Sequence, residues 1–311
     1  MKPIRVAVVQ HAPVAFNVDL TLQRVQDLLT RAMATNPDLV LFPEAFVPGF
    51  PSGLDWGGAA TGVRGQAGQN AYLRYHDSAI VVPGPITDRL AAMARTAGAH
   101  LVVGVIERAG STLGCSVLHF GRDGTLLGVR RKVMPTMAER TIWGQTDGAS
   151  LTVAATDIGQ IGTVICWENY MPLLRYAMYA QGVQIYCAPT ADDLETWTAS
   201  MQHIAIEGRC FVLSAAQFTQ RCDFPAEYGD FPSDDAAFIV SRGGSCIIDP
   251  FGTILAGPVF NEPVILTADL DLNQITRGKF SFDVVGHYAR PDIFSLRVDR
   301  RSRPAVTYQA D

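Results

Sequence analysis

Residues 161–172, with the sequence IGTVICWENYMP, constrain the fold of this chain more than any other stretch. An apolar, β-branched run ends at a single cysteine, Cys166, and a polar-aromatic turn leads into a helical pattern of apolar residues over 173–178. This predicts a strand, a sharp corner and a helix, with a thiol at the corner. The unpaired N–H groups of a helix amino terminus lower the cost of a thiolate, so Cys166 is a candidate nucleophile. The alternative is a small buried apolar side chain, which free cysteines often are.

Strand and helix patterns alternate along nearly the whole chain, which predicts one α/β domain. The domain is expected to span residues 1–280, with an irregular tail over 281–311 that forms part of an oligomer interface. We predict helices near 18–32, 86–98, 170–181 and 195–208, and strands near 4–10, 38–42, 100–107, 115–121, 125–131, 151–156, 160–166, 184–188, 210–216, 245–249, 253–256 and 263–269.

Two segments rich in Gly and Pro, residues 48–84 and 222–235, show no clean period and are interpreted as long loops. Loops of that length often carry function, and we expect these two to frame the substrate entrance or an interface. Gly243-Gly244 is interpreted as a turn before the strand that follows.

The composition excludes several classes of protein. The chain has 311 residues, enough for a large core, and a formal charge of −5 with acids and bases interspersed, so it lacks the basic footprint of a nucleic-acid-binding protein. Its apolar runs are too short to cross a membrane, and the first strand leaves no room for a secretory signal. Six dispersed cysteines indicate reduced thiols and a cytoplasmic protein. Without a Cys-x-x-Cys or His-Glu-x-x-His motif, we expect neither a metal nor another cofactor.

Three charged residues stand at or just after the ends of apolar strands. Glu44 ends one strand, Lys132 ends another, and Glu139 follows in the segment 132–140. Singly, each is more simply a structural ion pair. Together with the thiol of Cys166 they favour a catalytic site, because the carboxyl ends of parallel strands meet at one crevice.

The sequence lacks the residues that several other kinds of active site require. A serine hydrolase needs a Gly-x-Ser-x-Gly elbow, and a nucleotide-binding enzyme needs a Gly-rich phosphate loop; neither pattern is present. A Cys–His mechanism needs a histidine beside the thiol, and His203, in a helical pattern, has no obvious path to Cys166. A non-catalytic scaffold is expected to lack the thiol or one of the three charged residues, and this chain has all four.

Six segments in order give this chain a resemblance to the nitrilase branch of the carbon–nitrogen hydrolase superfamily. They are 7–10 (AVVQ), 42–46 (FPEAF), 131–136 (RKVMPT) with Glu139-Arg140, 166–169 (CWEN), 187–193 (CAPTADD) and 203–209 (HIAIEGR). The resemblance implies a four-layer αββα sandwich, Glu44 as base, Lys132 as electrostatic partner, Cys166 as nucleophile and Glu139 as a supporting second glutamate. It also implies subunits that pair, as a homodimer or larger homo-oligomer.

The residues after the nucleophile favour a nitrilase over an amidase or carbamoylase with the same triad. Amidase relatives more often have tyrosine and aspartate where this chain has Trp167-Glu168-Asn169. The expected substrate is a small nitrile, and residues 167–217 resemble arylacetonitrilases and plant β-cyanoalanine nitrilases alike. Trp167, Pro189 and Thr190 are expected to line the pocket; Trp167 could instead plug the core beneath the turn. Many nitrilases of this branch continue beyond the position of Asp311, so a dimer or short oligomer is expected rather than a long filament.

Overall fold

The computed structural model describes residues 3–53, 65–229, 231–304 and 306. Its elements follow the chain in this order: β1 (Ile4–Gln10), α1 (Val18–Ala32), β2 (Leu39–Leu41), α2 (Gln66–Ser78), α3 (Pro85–Ala97), β3 (His100–Ala109), β4 (Thr112–Phe120), β5 (Leu126–Arg131), β6 (Val153–Thr156), β7 (Gly159–Thr163), α4 (Pro172–Tyr179), β8 (Ile185–Thr190), α5 (Glu195–Gly208), β9 (Phe211–Ala216), β10 (Phe218–Gln220), β11 (Ile239–Ile248), β12 (Ile254–Phe260), β13 (Val264–Leu270) and α6 (Asn273–Ser281).

The strands form two sheets. One has the order β13-β1-β2-β3-β4-β5, and the other has the order β10-β11-β9-β8-β7-β6 with β12 paired to β11. Strands β1, β2 and β3 are mutually parallel, as are β7, β8 and β9. Since β4 is antiparallel to both β3 and β5, strand β5 runs in the same direction as β2.

Three apolar clusters define four layers. The first lies between the sheets and contains Val8, Leu41, Ile161 and Leu213. The second buries α1 and α3 against the outer face of the first sheet, and the third buries α4 and α5 against the outer face of the second. Strands buried on both faces have continuous apolar runs, which is the pattern seen over 39–42 and 185–188. The fold is the α/β four-layer αββα sandwich that the resemblance implied.

The prediction of an unbroken loop over 48–84 is wrong, because helix α2 occupies Gln66–Ser78. Its buried contact with the inter-sheet cluster comes mainly from Tyr75, with Ala71 and Tyr72 partly buried beside it. Alanines and tyrosines among polar residues make a weak apolar stripe, so the helical period is hard to see in the sequence. Residues 54–64 of the predicted loop lie outside the described residues.

The predicted turn at Gly243-Gly244 is also wrong, since both glycines lie within β11 at a bulge. Their φ angles are +91° and +106°, and a Cβ on Gly243 would lie 2.3 Å from Nε2 of Gln10. Glycine is therefore required there by close packing and by backbone conformation, and not by a turn.

The tail folds back on the domain. Val284 and Val285 pack against the third cluster, and the N–H of Arg303 donates to Oδ2 of Asp147 at 2.6 Å. None of the helices in the described ranges is long and apolar enough to span a membrane.

Candidate active site

Three residues that follow strands of the two sheets, and one from a short turn, meet at the carboxyl ends of those strands. Glu44 follows β2, Lys132 follows β5, and Cys166 follows β7 by three residues. Glu139 comes from a short 3₁₀ turn over Met137–Thr141. One oxygen of each glutamate and the Sγ of Cys166 all lie within 4.8 Å of one another, and all three residues are buried. The structure thus brings together the four residues that the sequence singled out.

The ammonium of Lys132 lies between the two carboxylates. Its Nζ donates to Oε1 of Glu44 at 2.8 Å and to Oε2 of Glu139 at 2.6 Å. Burial lowers the pKa of Lys132, but the opposing charges of Glu44 and its neighbours raise it well above the usual value. Lys132 is therefore a fixed positive charge in a site from which water is largely excluded.

The two oxygens of Glu44 have different surroundings. Oε1 accepts from Lys132 and also from the thiol of Cys115 at 3.4 Å, whereas Oε2 is buried with no hydrogen-bond partner among the described residues. The side-chain amide of Gln217, between β9 and β10 of the second sheet, donates to the carbonyl oxygen of Glu44 at 2.8 Å. This contact fixes the backbone of Glu44 from the opposite sheet.

Glu139 is held by its own turn. Its Oε2 accepts from the N–H of Thr136 at 2.6 Å as well as from Lys132. Burial, together with the charge of Glu44, raises the pKa of Glu139 to about 7 against the lowering effect of Lys132. Two carboxyls and one ammonium this close titrate as a coupled set.

Cys166 stands at a strained corner, with φ of +51°, a conformation that non-glycine residues adopt rarely and often at functional sites. Burial, followed by the charge of Glu44, raises the pKa of its thiol to about 12, although Lys132 and a hydrogen bond with Thr190 lower it. The expectation that a helix terminus would favour the thiolate is therefore wrong. Only a five-residue 3₁₀ turn, Cys166–Tyr170, follows the thiol, and burial outweighs it.

Glu168 and Asn169, which the sequence identifies only as part of the motif 166–169, hold the corner at Cys166 in place. Glu168 accepts from the backbone N–H groups of Ile165 and Val133 at 3.2 and 2.7 Å and forms a buried ion pair with Arg130. Asn169 donates to the carbonyl oxygens of Val164 and Cys166. The roles of these two side chains could not be predicted from the sequence, because their partners are distant in the chain or are backbone groups.

The three predicted pocket residues lie at the end of β8 and in the turn that carries the thiol. Pro189 and Thr190 end β8 and are buried, and Thr190 is the hydrogen-bond neighbour of Cys166. Trp167 is 38% exposed and packs edge-on against Tyr170, and its indole N–H donates to Oδ2 of Asp192 at 2.7 Å. Its exposure does not fit a side chain that plugs the core.

The donor set of Glu44, Glu139 and Cys166 has the residue types of a metal site. The ammonium of Lys132, however, lies within hydrogen-bond distance of both carboxylates. A divalent cation there would have to displace that charge, so these residues fit a metal ion poorly. His203 lies on α5 with two thirds of its side chain exposed and faces Glu207, which leaves a Cys–His pair without support.

A family model and several similar sequences indicate the same family for this chain. The sequence model of a family described as carbon-nitrogen hydrolase matches residues 5–280. An aliphatic nitrilase of Sinorhizobium fredii is 49% identical over the full length of both chains. A bifunctional nitrilase/nitrile hydratase of Lupinus angustifolius is 50% identical over 98% of this chain and 88% of its own. Nitrilase 1 of Arabidopsis thaliana is 48% identical over 98% of this chain and 89% of its own.

Solved structures share the fold at low sequence identity. Nit3 of Saccharomyces cerevisiae superposes with a TM-score of 0.72 at 20% identity, covering 93% of this chain and 97% of its own. The NitFhit protein of Caenorhabditis elegans gives a TM-score of 0.75 at 20% identity, covering 98% of this chain and 69% of its own. These similarities concern the architecture.

Proposed function

The chain belongs to the carbon–nitrogen hydrolase family, and on that premise we propose that it is a nitrilase, which converts an organic nitrile to the carboxylic acid and ammonia. The observation that carries the proposal is the Lys132 ammonium between Glu44 and Glu139, beside a buried thiol. Full-length relatives named as nitrilases support it.

The first step uses Glu44 as the base. The carboxylate of Glu44 takes the proton of the Cys166 thiol as Sγ attacks the nitrile carbon, because a thiol with its pKa raised to about 12 is not ionised at neutral pH. The charge that develops on nitrogen lies near Lys132, and losing such a preorganised donor costs about 3–4 kcal/mol. Glu44 returns the proton to nitrogen, and a thioimidate is formed.

Hydrolysis completes the cycle. A water molecule, deprotonated by Glu44, adds to the thioimidate carbon to give a tetrahedral intermediate. Cleavage of its C–N bond, with a proton supplied to nitrogen, releases ammonia and leaves a thioester. A second water, activated in the same way, releases the acid and the thiol. Glu139 orients Lys132 through their 2.6 Å hydrogen bond.

Some amide is an expected by-product. If the tetrahedral intermediate expels the thiol of Cys166 in place of ammonia, the amide leaves directly. Protonation of nitrogen selects the first route, so the coupled set of Glu44, Lys132 and Glu139 controls the ratio. A relative named as a bifunctional nitrilase/nitrile hydratase supports this expectation.

The substrate is proposed to approach over Trp167, with Pro189 and Thr190 lining the site near the thiol. The half-exposed indole suits aromatic or apolar groups. A relative named as an aliphatic nitrilase adds simple aliphatic nitriles to the aryl and β-cyano substrates to be tested.

The test is ammonia release with product identification. The panel contains phenylacetonitrile, mandelonitrile, 3-phenylpropionitrile, β-cyanoalanine, fumaronitrile and butyronitrile, with the matching amides, and Cys166→Ala as control. Acid and ammonia from nitriles, abolished in the control, would establish the nitrilase. Turnover of amides alone would assign an amidase with the same residues and overturn the proposal.

We also propose that the protein is a homo-oligomer of the cytoplasm. Exposed apolar side chains on α4, α6 and the tail support an interface between subunits; they are Leu173, Phe280, Ile293 and Phe294. All six cysteines are unpaired, which suits a reducing compartment. Light scattering on the whole chain tests the first point, since a strict monomer would contradict it. Cell fractionation tests the second.

A further inference from the structure

We propose that Cys115 is a positioning residue for Glu44: its thiol holds Oε1, so that Oε2 is the oxygen that receives the proton of Cys166. This inference rests on the proposed function, since it names the proton-accepting atom of that reaction.

Cys115 is fixed to the same strand end as Lys132. It lies in β4 and is almost fully buried, and its carbonyl oxygen accepts from the backbone N–H of Lys132 at 2.8 Å. Its Sγ lies 3.4 Å from Oε1 of Glu44, within the range for a hydrogen bond from sulfur. The thiol of Cys115 and the ammonium of Lys132, which come from paired positions of neighbouring strands, thus both donate to Oε1 of Glu44.

The asymmetry of Glu44 is the central observation. Oε1 accepts two donors, whereas Oε2 is buried without a partner among the described residues. Leaving a buried acceptor unsatisfied is costly, and a catalytic role is one of the explanations for such an atom in a native structure. With Oε1 occupied, the lone pairs available for a proton are those of Oε2.

Cys115 acts here as a donor and not as a second nucleophile. Burial, followed by the charge of Glu44, raises the pKa of its thiol well above the usual value. It therefore keeps its proton at neutral pH. The ionisable groups around Glu44 are Lys132, Glu139, Cys166 and Cys115, with Tyr75 near Cys115.

The proton path follows from this arrangement. As the bond between Sγ of Cys166 and the nitrile carbon forms, the S–H proton passes to Oε2 of Glu44. One electron pair of the C≡N bond moves to nitrogen, which then takes the proton back from Oε2. Oε1 stays hydrogen-bonded to Cys115 and Lys132 throughout, so the carboxylate does not turn between the two transfers.

The kinetic test compares Cys115→Ala, Cys115→Ser and the matched control Cys246→Ala, which removes a buried thiol from the third cluster. We expect Cys115→Ala to lower kcat about tenfold with little change in KM. Because a hydrogen bond to a carboxylate favours its charged form, losing the donor should move the acid limb of the pH profile to higher pH. Cys115→Ser, which keeps a donor, should recover part of kcat and part of the shift in the acid limb. Cys246→Ala should change neither kcat nor the acid limb.

A folded Cys115→Ala variant with wild-type kcat and an unmoved acid limb would overturn the proposal. Equal losses in the alanine and serine variants, with no change in the pH profile, would also overturn it, because they would indicate packing alone.

An infrared measurement tests the contact even if the Cys115 variants fail to fold. The S–H stretch is recorded in Cys166→Ala, which removes the nucleophile's own band, and in the double variant Cys166→Ala/Glu44→Ala. One buried S–H band should shift to higher frequency when the carboxylate is removed, and no shift would overturn the contact. No turnover is needed, so a shift in a protein that hydrolyses no nitrile would reject the nitrilase proposal while the contact stands.

Discussion

Nη2 of Arg130 donates to both carboxylate oxygens of Glu168, at 3.0 and 2.9 Å, in a pair that is almost fully buried. Arg130 lies two residues before Lys132, and Glu168 lies two residues after Cys166. The same carboxylate also accepts from the backbone of Val133 and Ile165. The pair therefore ties the strand end that carries the ammonium to the corner that carries the thiol.

The first prediction concerns this tie. Replacing Glu168 by Gln leaves the guanidinium of Arg130 buried without its countercharge, which should lower the free energy of unfolding by about 3 kcal/mol. Urea denaturation measures the change. In the fraction that stays folded, kcat should fall more than KM changes, because the thiol and the ammonium lose their common support.

The matched control is Asp292→Asn, which breaks an exposed pair with Arg290. It should leave both stability and kcat unchanged, since exposed pairs contribute little. A Glu168→Gln variant as stable and as active as the wild type would show that the buried pair does not hold the site.

The positions of Glu44, Lys132 and Cys166 followed from the sequence because an apolar strand that ends in a charge or a thiol is a local pattern. The ion pair of Glu168 with Arg130 is different: its partners are 38 residues apart, and only the register of the sheets brings them together. Cys115 could not be singled out for the same reason, since its place beside Lys132 depends on the pairing of β4 with β5.

The sequence also misled at Cys166. A thiol after a strand and before a helical pattern suggests a low pKa, but the adjoining turn is short and the thiol is buried among two carboxylates. Desolvation is a property of the assembled sheets, so no local pattern reports it.

The second prediction concerns stability against pH. Glu139 has its pKa raised to about 7 in the folded protein, so between its unfolded value and about 7 the folded state holds a proton that the unfolded state has lost. The free energy of unfolding should therefore fall as pH rises through that window, by at most about 3 kcal/mol. Below the unfolded pKa of Glu139, the stabilising contribution of its protonated form is fully present.

The measurement is urea denaturation at several values between about pH 4.5 and about pH 8. In Glu139→Gln, whose side chain cannot ionise, the free energy of unfolding should not show this decrease with pH. Parallel stability curves for the two proteins would contradict the raised pKa.

The third prediction concerns the resting thiol. Because burial and Glu44 raise the pKa of Cys166 to about 12, its alkylation by iodoacetamide should be slow at neutral pH and keep rising through about pH 9 without a plateau. The background is Cys222→Ser, which removes the one exposed cysteine; the other four are buried. A plateau near neutral pH would indicate a preformed thiolate paired with Lys132.

The last prediction concerns Trp167, whose indole is 38% exposed and held by Asp192. An aryl substrate would gain an aromatic contact worth about 0.5–1.5 kcal/mol that a small aliphatic nitrile lacks. Trp167→Ala should therefore lower kcat/KM for phenylacetonitrile up to about tenfold relative to butyronitrile, and Trp167→Phe should keep most of the preference. Leu255→Ala, which removes another apolar side chain that is 38% exposed, should leave the ratio unchanged. If Trp167→Ala instead lowers both rates equally and unfolds readily, the indole supports the corner of Cys166, and substrate selection must lie elsewhere in the site.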